Sequence, residues 1–253
     1  MLNQFARTQL LLGEDAMRTL ALAHVAVFGL GGVGGHAAEA LARCGIGALT
    51  LVDHDKVSLT NLNRQTVALA STIGRYKAEA MAERVADINP ECRVTPRICF
   101  YLPDTADEID LAQFDYVVDA VDNVTAKLLL AERAQAAGTP IISSMGTANK
   151  LDPTMLRVAD INKTEICPLA KIIRKECRKR GIKRLKVVYS PEIACPPSGE
   201  AQAAYLEEAA ASDPAARDKF GRAGVPGTVP FVPAAAGLLL ASEVVKDLIT
   251  KKK

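Results

Sequence analysis

Short apolar runs alternate along the chain with stretches in which apolar positions recur every three or four residues. His24-Val-Ala-Val-Phe28 is β-rich and ends on glycines. Val33, Ala37, Ala40, Leu41 and Cys44 then share one face of a helix. Ala48 to Val52 predicts a second strand, ended by Asp53, and residues 75–88 an amphipathic helix closed by Asn89-Pro90. Strands are predicted at Arg93 to Phe100, Asp115 to Asp119 and Pro140 to Ser144, with a helix from Thr125 to Ala137 stopped by Gly138. Residues 1–22 predict one or two short amphipathic helices carrying Leu10, Leu11, Leu12 and Leu20. Such alternation specifies an α/β fold, a Rossmann-like, mostly parallel sheet with helices on both faces.

Beyond residue 150 the pattern changes. Leu156 to Ile161 and Lys186 to Tyr189 predict strands flanking a helix over 168–180. Residues 196–229 are rich in Ala, Pro, Gly and Ser and predict a long mobile loop, with some helix around Ala201 to Ala210. Residues 234–249 predict the last helix. The chain thus reads as a single domain over 1–253, with a core in 1–150 and a smaller C-terminal strand-and-helix extension in 151–253. The apolar stretch Val225 to Val245 is broken by Pro226, Pro230, Pro233 and Glu243. Its unbroken part is too short to span a bilayer and predicts a buried core helix.

Composition narrows the choice. Half the residues are apolar (49%) in a chain of 253, enough for a sizeable core. A net charge of +2 does not by itself announce a nucleic-acid partner, and without Trp a base-stacking platform is not expected to dominate. The six cysteines form no C-x-x-C pair, which argues against structural zinc and a thioredoxin-like motif. No signal-peptide pattern opens the chain, so a cytoplasmic setting is expected.

Gly29-Leu-Gly31-Gly32-Val-Gly34 follows a strand and opens a helix. Glycines let the backbone turn tightly and approach a phosphate, and the helix N-terminus offers unpaired N–H groups to the anion. Asp53 ends the next strand, where a carboxylate accepts hydrogen bonds from ribose hydroxyls. Three further features argue against a simple dehydrogenase, for which no hydride-transfer site is evident. The polar loop after Asp53 carries Asp55, Asn61, Asn63, Arg64 and Gln65 and brings Arg64 toward phosphates. Lys77 stands in the first turn of the next helix. Asp119-Ala-Val-Asp122-Asn123 lies at the carboxyl end of a later strand, where ligands of open α/β sheets sit. A carboxylate attacking an α-phosphate is already ionised near neutral pH and needs no general base. It needs charge neutralisation, which Arg64 and Lys77 can supply while Asp122 holds Mg²⁺. The three histidines, His24, His36 and His54, include no evident base. Taken singly, each feature has an ordinary alternative. Arg64 and Lys77 suit solvated surface charges, and Asp122 suits an N-cap for the helix near Val124.

Together these residues resemble the ubiquitin-activating-enzyme-like adenylyltransferases (the ThiF/MoeB/HesA group). The resemblance is carried by Gly29, Gly31, Gly32 and Gly34, Asp53, the Asn61-Leu-Asn63-Arg64-Gln65 run, Lys77, and Asp119 with Asp122-Asn123. It implies that Asp53 binds ribose, that Arg64 and Lys77 contact phosphates, that Asp122 serves Mg²⁺, and that the chain forms a homodimer. In such a dimer Arg7 would reach into the partner's ATP site. Sulfur-carrier activators in this group typically carry two C-x-x-C pairs, absent here. The chain is more similar to the branch that dehydrates threonylcarbamoyladenosine (t6A) in tRNA. Shared with that branch are Ile46 to Asp53, Ile88 to Val94, Asp152-Pro-Thr, Pro168-Leu-Ala and Val229 to Gly237. That resemblance implies ATP-dependent adenylation of the threonyl carboxylate, ring closure, and release of AMP and pyrophosphate. ATP and Mg²⁺ are the implied cofactors, with a monovalent cation as a further candidate and no zinc. tRNA carrying t6A is the implied partner, with no membrane. Activation of the C-terminal glycine of a ubiquitin-like sulfur carrier is the alternative, and a sulfur-transfer or carrier protein is a further candidate partner.

Lys171, Arg174, Lys175, Arg178, Lys179, Arg180, Lys183, Arg184 and Lys186 crowd one stretch interrupted by Glu176 alone. Such a run attracts a phosphate backbone, although a solvated helix face gives the same pattern. Lys251-Lys-Lys253 reads as a solubilising tail. Cys167 and Cys195 each have a basic or proline-rich neighbourhood, but the adenylation chemistry requires no covalent catalysis.

Overall fold

The computed structural model describes residues 2–212 and 224–250. Seven strands form one sheet in the order β3-β2-β1-β4-β5-β7-β6. They are β1 His24–Phe28, β2 Ala48–Val52, β3 Arg93–Arg97, β4 Tyr116–Asp119, β5 Ile141–Ser144, β6 Arg157–Asp160 and β7 Lys186–Tyr189. Every pairing is parallel except β6 with β7, which is antiparallel at the edge. Eight α-helices accompany them among the described residues: α1 Ala6–Leu12, α2 Glu14–Leu22, α3 Gly34–Arg43, α4 Lys77–Ile88, α5 Val124–Ala137, α6 Pro168–Lys179, α7 Gly199–Ser212 and α8 Phe231–Thr250. The expected mostly parallel α/β fold is therefore present.

The central strands are mostly apolar and buried because helices cover both faces. One core packs α3, α4 and α8 against the sheet through Leu41, Met81, Leu240 and Val244. On the other face α5 contributes Leu130 and Ala134 to a cluster around Phe28, Tyr101 and Val117. A third cluster, with Ile173, Cys177 and Val187, seats α6 on the edge of the sheet.

Three expectations need correction. β3 stops at Arg97 rather than Phe100. There the chain leaves the sheet so that Phe100 stacks on His54 and Tyr101 packs edge-on against Phe28. The predicted loop 196–229 contains a full helix, α7, which runs two residues further at each end than the helix foreseen around Ala201 to Ala210. Its Ala- and Glu-rich sequence favours helix, and the N–H of Ala201 donates to Ser198 Oγ at its start. The part of that loop over 213–223, like the Lys251–Lys253 tail, lies outside the described residues. Last, α8 begins at Phe231, before Pro233. A proline in the first helical turn costs nothing, because its missing N–H would have had no intrahelical partner. As predicted, α8 is a buried core helix, with Val232, Ala236, Leu240 and Val244 fully enclosed. Among the described residues no helix is long and apolar enough to cross a membrane.

Candidate nucleotide site

The strand order places β1 beside β4, and the loops after these two strands face each other across the carboxyl rim of the sheet. This is where open α/β sheets bind ligands. After β1 the backbone turns through Gly29, whose φ of 84 favours glycine. A Cβ there would lie 2.7 Å from Ala120 O, so the glycine loop and the Asp122 loop touch backbone to backbone. At Gly34 a Cβ would strike Gly29 O at 1.8 Å. Both positions require glycine, and α3 opens directly behind them with its first N–H groups unpaired within the helix.

Asp53 is buried and braces this loop. Its Oδ2 accepts from Leu30 N–H at 2.6 Å and its Oδ1 from Asp55 N–H at 2.8 Å. Lys77, 5% exposed at the start of α4, donates from Nζ to Asp55 Oδ2 at 2.8 Å. Asp55 thus holds the lysine beside Asp53. Arg64 donates from Nη1 to Thr60 O at 2.9 Å and to Asn63 Oδ1 at 2.8 Å. Its stem lies against the glycine loop, with Cγ 3.3 Å from where a Cβ on Gly32 would stand. Burial lowers the Arg64 pKa while nearby Tyr205 of α7 opposes the shift. Gln65 is buried, its Nε2 lies 3.8 Å from a Cβ position on Gly31, and its Oε1 has no partner among the described residues. An orphaned amide oxygen, a glycine cradle and a half-buried arginine fit a polar ligand between the β1 and β4 loops.

Asp122 is exposed on the β4 loop. The N-cap considered for it belongs instead to Asn123, whose Oδ1 accepts from Ala126 N–H at 3.0 Å. Asn61 is likewise engaged in its own loop, accepting from Ser58 N–H at 3.1 Å. Both were expected to bind nucleotide, and both side-chain oxygens hold the loops that carry the charged groups. Asp53, His54 and Asp55 are the described group whose ligand atoms converge within 4.8 Å, and Asp122 is not part of it. A Mg²⁺ bound with a triphosphate commonly takes one or two protein carboxylates, which Asp122 can supply. Arg7 is exposed on α1. Neighbouring Phe5 packs 3.6 Å from a Cβ position on Gly45, at the far end of α3 from the glycine loop. The site of its own chain therefore does not receive Arg7.

Lys127 escaped the sequence reading. In α5 it is 2% exposed and donates to both oxygens of Asp119 at 3.1 and 3.0 Å and to Ser143 Oγ at 3.3 Å. Asp119 Oδ1 also accepts from Val121 N–H at 3.1 Å. This buried pair fixes the turn that presents Asp122. The available signal was a single cation inside the apolar run Val124 to Ala131. The contribution of α8 was also unforeseen. Pro233 Cβ lies 3.3 Å from a Cβ position on Gly32, and Asn63 Nδ2 donates to Thr228 O at 3.2 Å.

Of the cysteines, Cys167 is buried at the start of α6 and Cys195 is exposed. Burial pushes Cys92 and Cys177 up to about 11, which keeps them as thiols.

The family model described as the ThiF family matches residues 4–253. A curated relative from Bacillus subtilis (strain 168), the tRNA threonylcarbamoyladenosine dehydratase, is 43% identical over 251 residues, covering 98% of this chain and 96% of its own. The E. coli tRNA N6-threonylcarbamoyladenosine dehydratase, TcdA, solved in complex with ATP, superposes with a TM-score of 0.83 at 35% identity, covering 98% of this chain and 94% of that one. The same relative solved with AMP gives a TM-score of 0.84. The molybdopterin-synthase adenylyltransferase of Escherichia coli (strain K12) matches less of the chain, 38% identical over 131 residues, or 52% of it.

Proposed function

The chain belongs to the ThiF family, and from that premise we propose that it is an ATP-dependent dehydratase of t6A in tRNA. The observation that carries this reading is the gathering of Gly29, Asp53, Arg64, Gln65 and Lys77 around one cradle, with the loop that carries Asp122 against Gly29, in a chain similar along nearly its whole length to t6A dehydratases. ATP lies with its phosphates over Gly29 to Gly34 and the N-terminus of α3, and its ribose on Asp53. A threonyl carboxylate oxygen attacks the α-phosphorus, and the bond to the bridging oxygen breaks to release pyrophosphate. Arg64 and Lys77 balance the charge of that transition state. The threonylcarbamoyl group then attacks the activated carbonyl carbon, a proton is lost, and AMP leaves with the oxygen that would otherwise depart as water. Asp122 would hold Mg²⁺, which supplies neutralisation of phosphate charge.

A homodimer completes the reading. Leu2, Leu10, Leu11 and Leu22 of the N-terminal region are 92%, 88%, 84% and 86% exposed, an apolar surface suited to a second copy. In that dimer Arg7 serves the partner's site. Replacing Leu10 and Leu11 by Glu is expected to give a monomer by analytical ultracentrifugation, with AMP release lost alongside.

The test of the reaction is release of AMP and pyrophosphate from labelled ATP, with tRNA carrying t6A and with tRNA lacking it. Release that depends on t6A is expected. Release that ignores tRNA, or that depends on a small carrier protein ending in Gly-Gly, overturns the reading.

A further inference from the structure

The basic run of the second half does not act as one patch, and the structure sorts its members. Arg174 donates to Thr164 O at 2.7 Å and Thr164 Oγ1 at 2.6 Å. Arg180 pairs with Glu132 at 2.8 Å, and Lys179 with Glu176 at 2.7 Å. Lys186 is held by Glu243 at 2.7 Å and Asp247 at 2.9 Å. Lys171, Lys175, Arg178, Lys183 and Arg184 are exposed and make no ion pair among the described residues. The nearby acids Glu132, Glu165 and Glu176 are all paired already.

The five cations fall in two connected places. Ala170, Ile173 and Cys177 bury one side of α6, so Lys171, Lys175 and Arg178, spaced i, i+4 and i+7, line the opposite, outward side. Lys183 and Arg184 line a cleft of about 430 Å³ together with Asp160, Asn162 and Lys163. Lys163 lies outside the basic run and is a new member. The N-terminal end of α6 meets the carboxyl rim of the sheet, where Leu169 Cβ lies 3.9 Å from a Cβ position on Gly146, just past β5. Its C-terminal end leads to the cleft at the opposite rim, before β7. Twelve helical residues span about 18 Å at 1.5 Å each.

We propose that Lys171, Lys175 and Arg178 of α6, with Lys163, Lys183 and Arg184 of the cleft, form a track for the sugar-phosphate backbone of tRNA. The track starts beside the rim that carries the nucleotide site and grips the RNA up to about 18 Å behind it. It rests on the dehydratase reading for the identity of the RNA. Backbone contacts position a nucleic acid without reading its sequence, so a track of this kind anchors the stem while the modified nucleotide enters the site.

The experiment measures binding of an unmodified tRNA transcript by fluorescence anisotropy across potassium chloride concentrations. The variants are Lys171→Ala/Lys175→Ala/Arg178→Ala, Lys183→Ala/Arg184→Ala, and the control Arg180→Ala. Each cation that neutralises a phosphate steepens the salt dependence by about 0.7 to 0.9 in log–log slope. The triple variant is therefore expected to bind RNA at least tenfold more weakly, with a slope flatter by about 2, and with ATP affinity and Tm unchanged. Arg180→Ala is expected to lower Tm and leave the slope as it was. Unchanged RNA affinity and slope in the triple variant, or equal loss in Arg180→Ala, overturns the track. Wild-type protein that ignores the transcript but retains an acidic carrier protein also overturns it. Because the transcript is unmodified, a track that passes while AMP release proves independent of t6A condemns only the dehydratase reading.

Discussion

Arg64 spends Nη1 on Thr60 and Asn63 and lays its stem on Gly32, so its position is set before any ligand arrives. Arg64→Ala is expected to lower the rate of AMP release by roughly 10²- to 10³-fold, the usual loss when a preorganised transition-state donor is removed. Binding of tRNA should be unaffected, which separates the arginine from the basic track. Lys127 poses a different question. Removing one member of a buried ion pair leaves an uncompensated charge and costs about 3–5 kcal/mol. Lys127→Met should show that loss in urea unfolding, whereas Lys127→Met with Asp119→Leu should regain most of it. The places of the glycines, Asp53 and Lys77 were legible in the sequence because each stands at a strand or helix end, and that of Arg64 followed from the polar loop after Asp53. Lys127 was not. Its partner Asp119 is near in sequence, but Ser143 comes from the neighbouring strand, and burial is a property of the packed fold. Without that, a lysine on a helix reads as a solvated charge.

At the scale of elements, α8 and α3 pack backbone against backbone at Gly237. A Cβ at Gly237 would lie 2.3 Å from Val33 O and 2.9 Å from His36 Cβ. Gly237→Ala is expected to destabilise by about 1–3 kcal/mol through forced separation of the helices, read as a lower urea midpoint. Glu39 ties α3 to α4, accepting from Arg84 Nε at 2.6 Å and from Arg43 Nε at 2.9 Å. Burial alone would raise its pKa, but the hydrogen bonds from Arg84 and Arg43 outweigh that and hold the carboxyl below its ordinary value of 4.5. A carboxyl depressed in the folded state stabilises at pH values above its unfolded pKa and loses that contribution as pH falls through the folded one. Stability measured by urea should therefore drop more steeply below about pH 4.5 in the native chain than in Glu39→Gln. Periodicity gave nearly every strand and helix to within a few residues. α7 and the first turn of α8 were underread for one reason. Prolines at 196, 197, 230 and 233 look like breakers in sequence, whereas in the structure they precede or open helices, where no N–H is needed.

For the whole molecule, a ligand that binds only the folded chain stabilises all of it. ATP at a hundred times its Kd should add about 2.7 kcal/mol, visible as a rise in Tm. Asp53→Ala should abolish the rise, since Asp53 braces Leu30 and is the carboxylate proposed for the ribose. The fold class was legible because alternating strands and helices admit few architectures. The meeting of residues 32–36 with residues 233–237 was not, since nothing local in either segment names the other.

That meeting has a consequence for biosynthesis. Gly32 lies against Pro233, and the start of α3 against Gly237, so the wall of the cradle is built by residues some two hundred positions downstream. At the roughly 5–20 residues per second of translation, a nascent chain exposes its glycine loop for about ten to forty seconds before α8 emerges to close it. During that interval the ribosome-bound chain has the glycine loop without its wall. ATP would report completion of the protein rather than assist its early folding, and a chain released before residue 231 should fail to retain nucleotide on a filter.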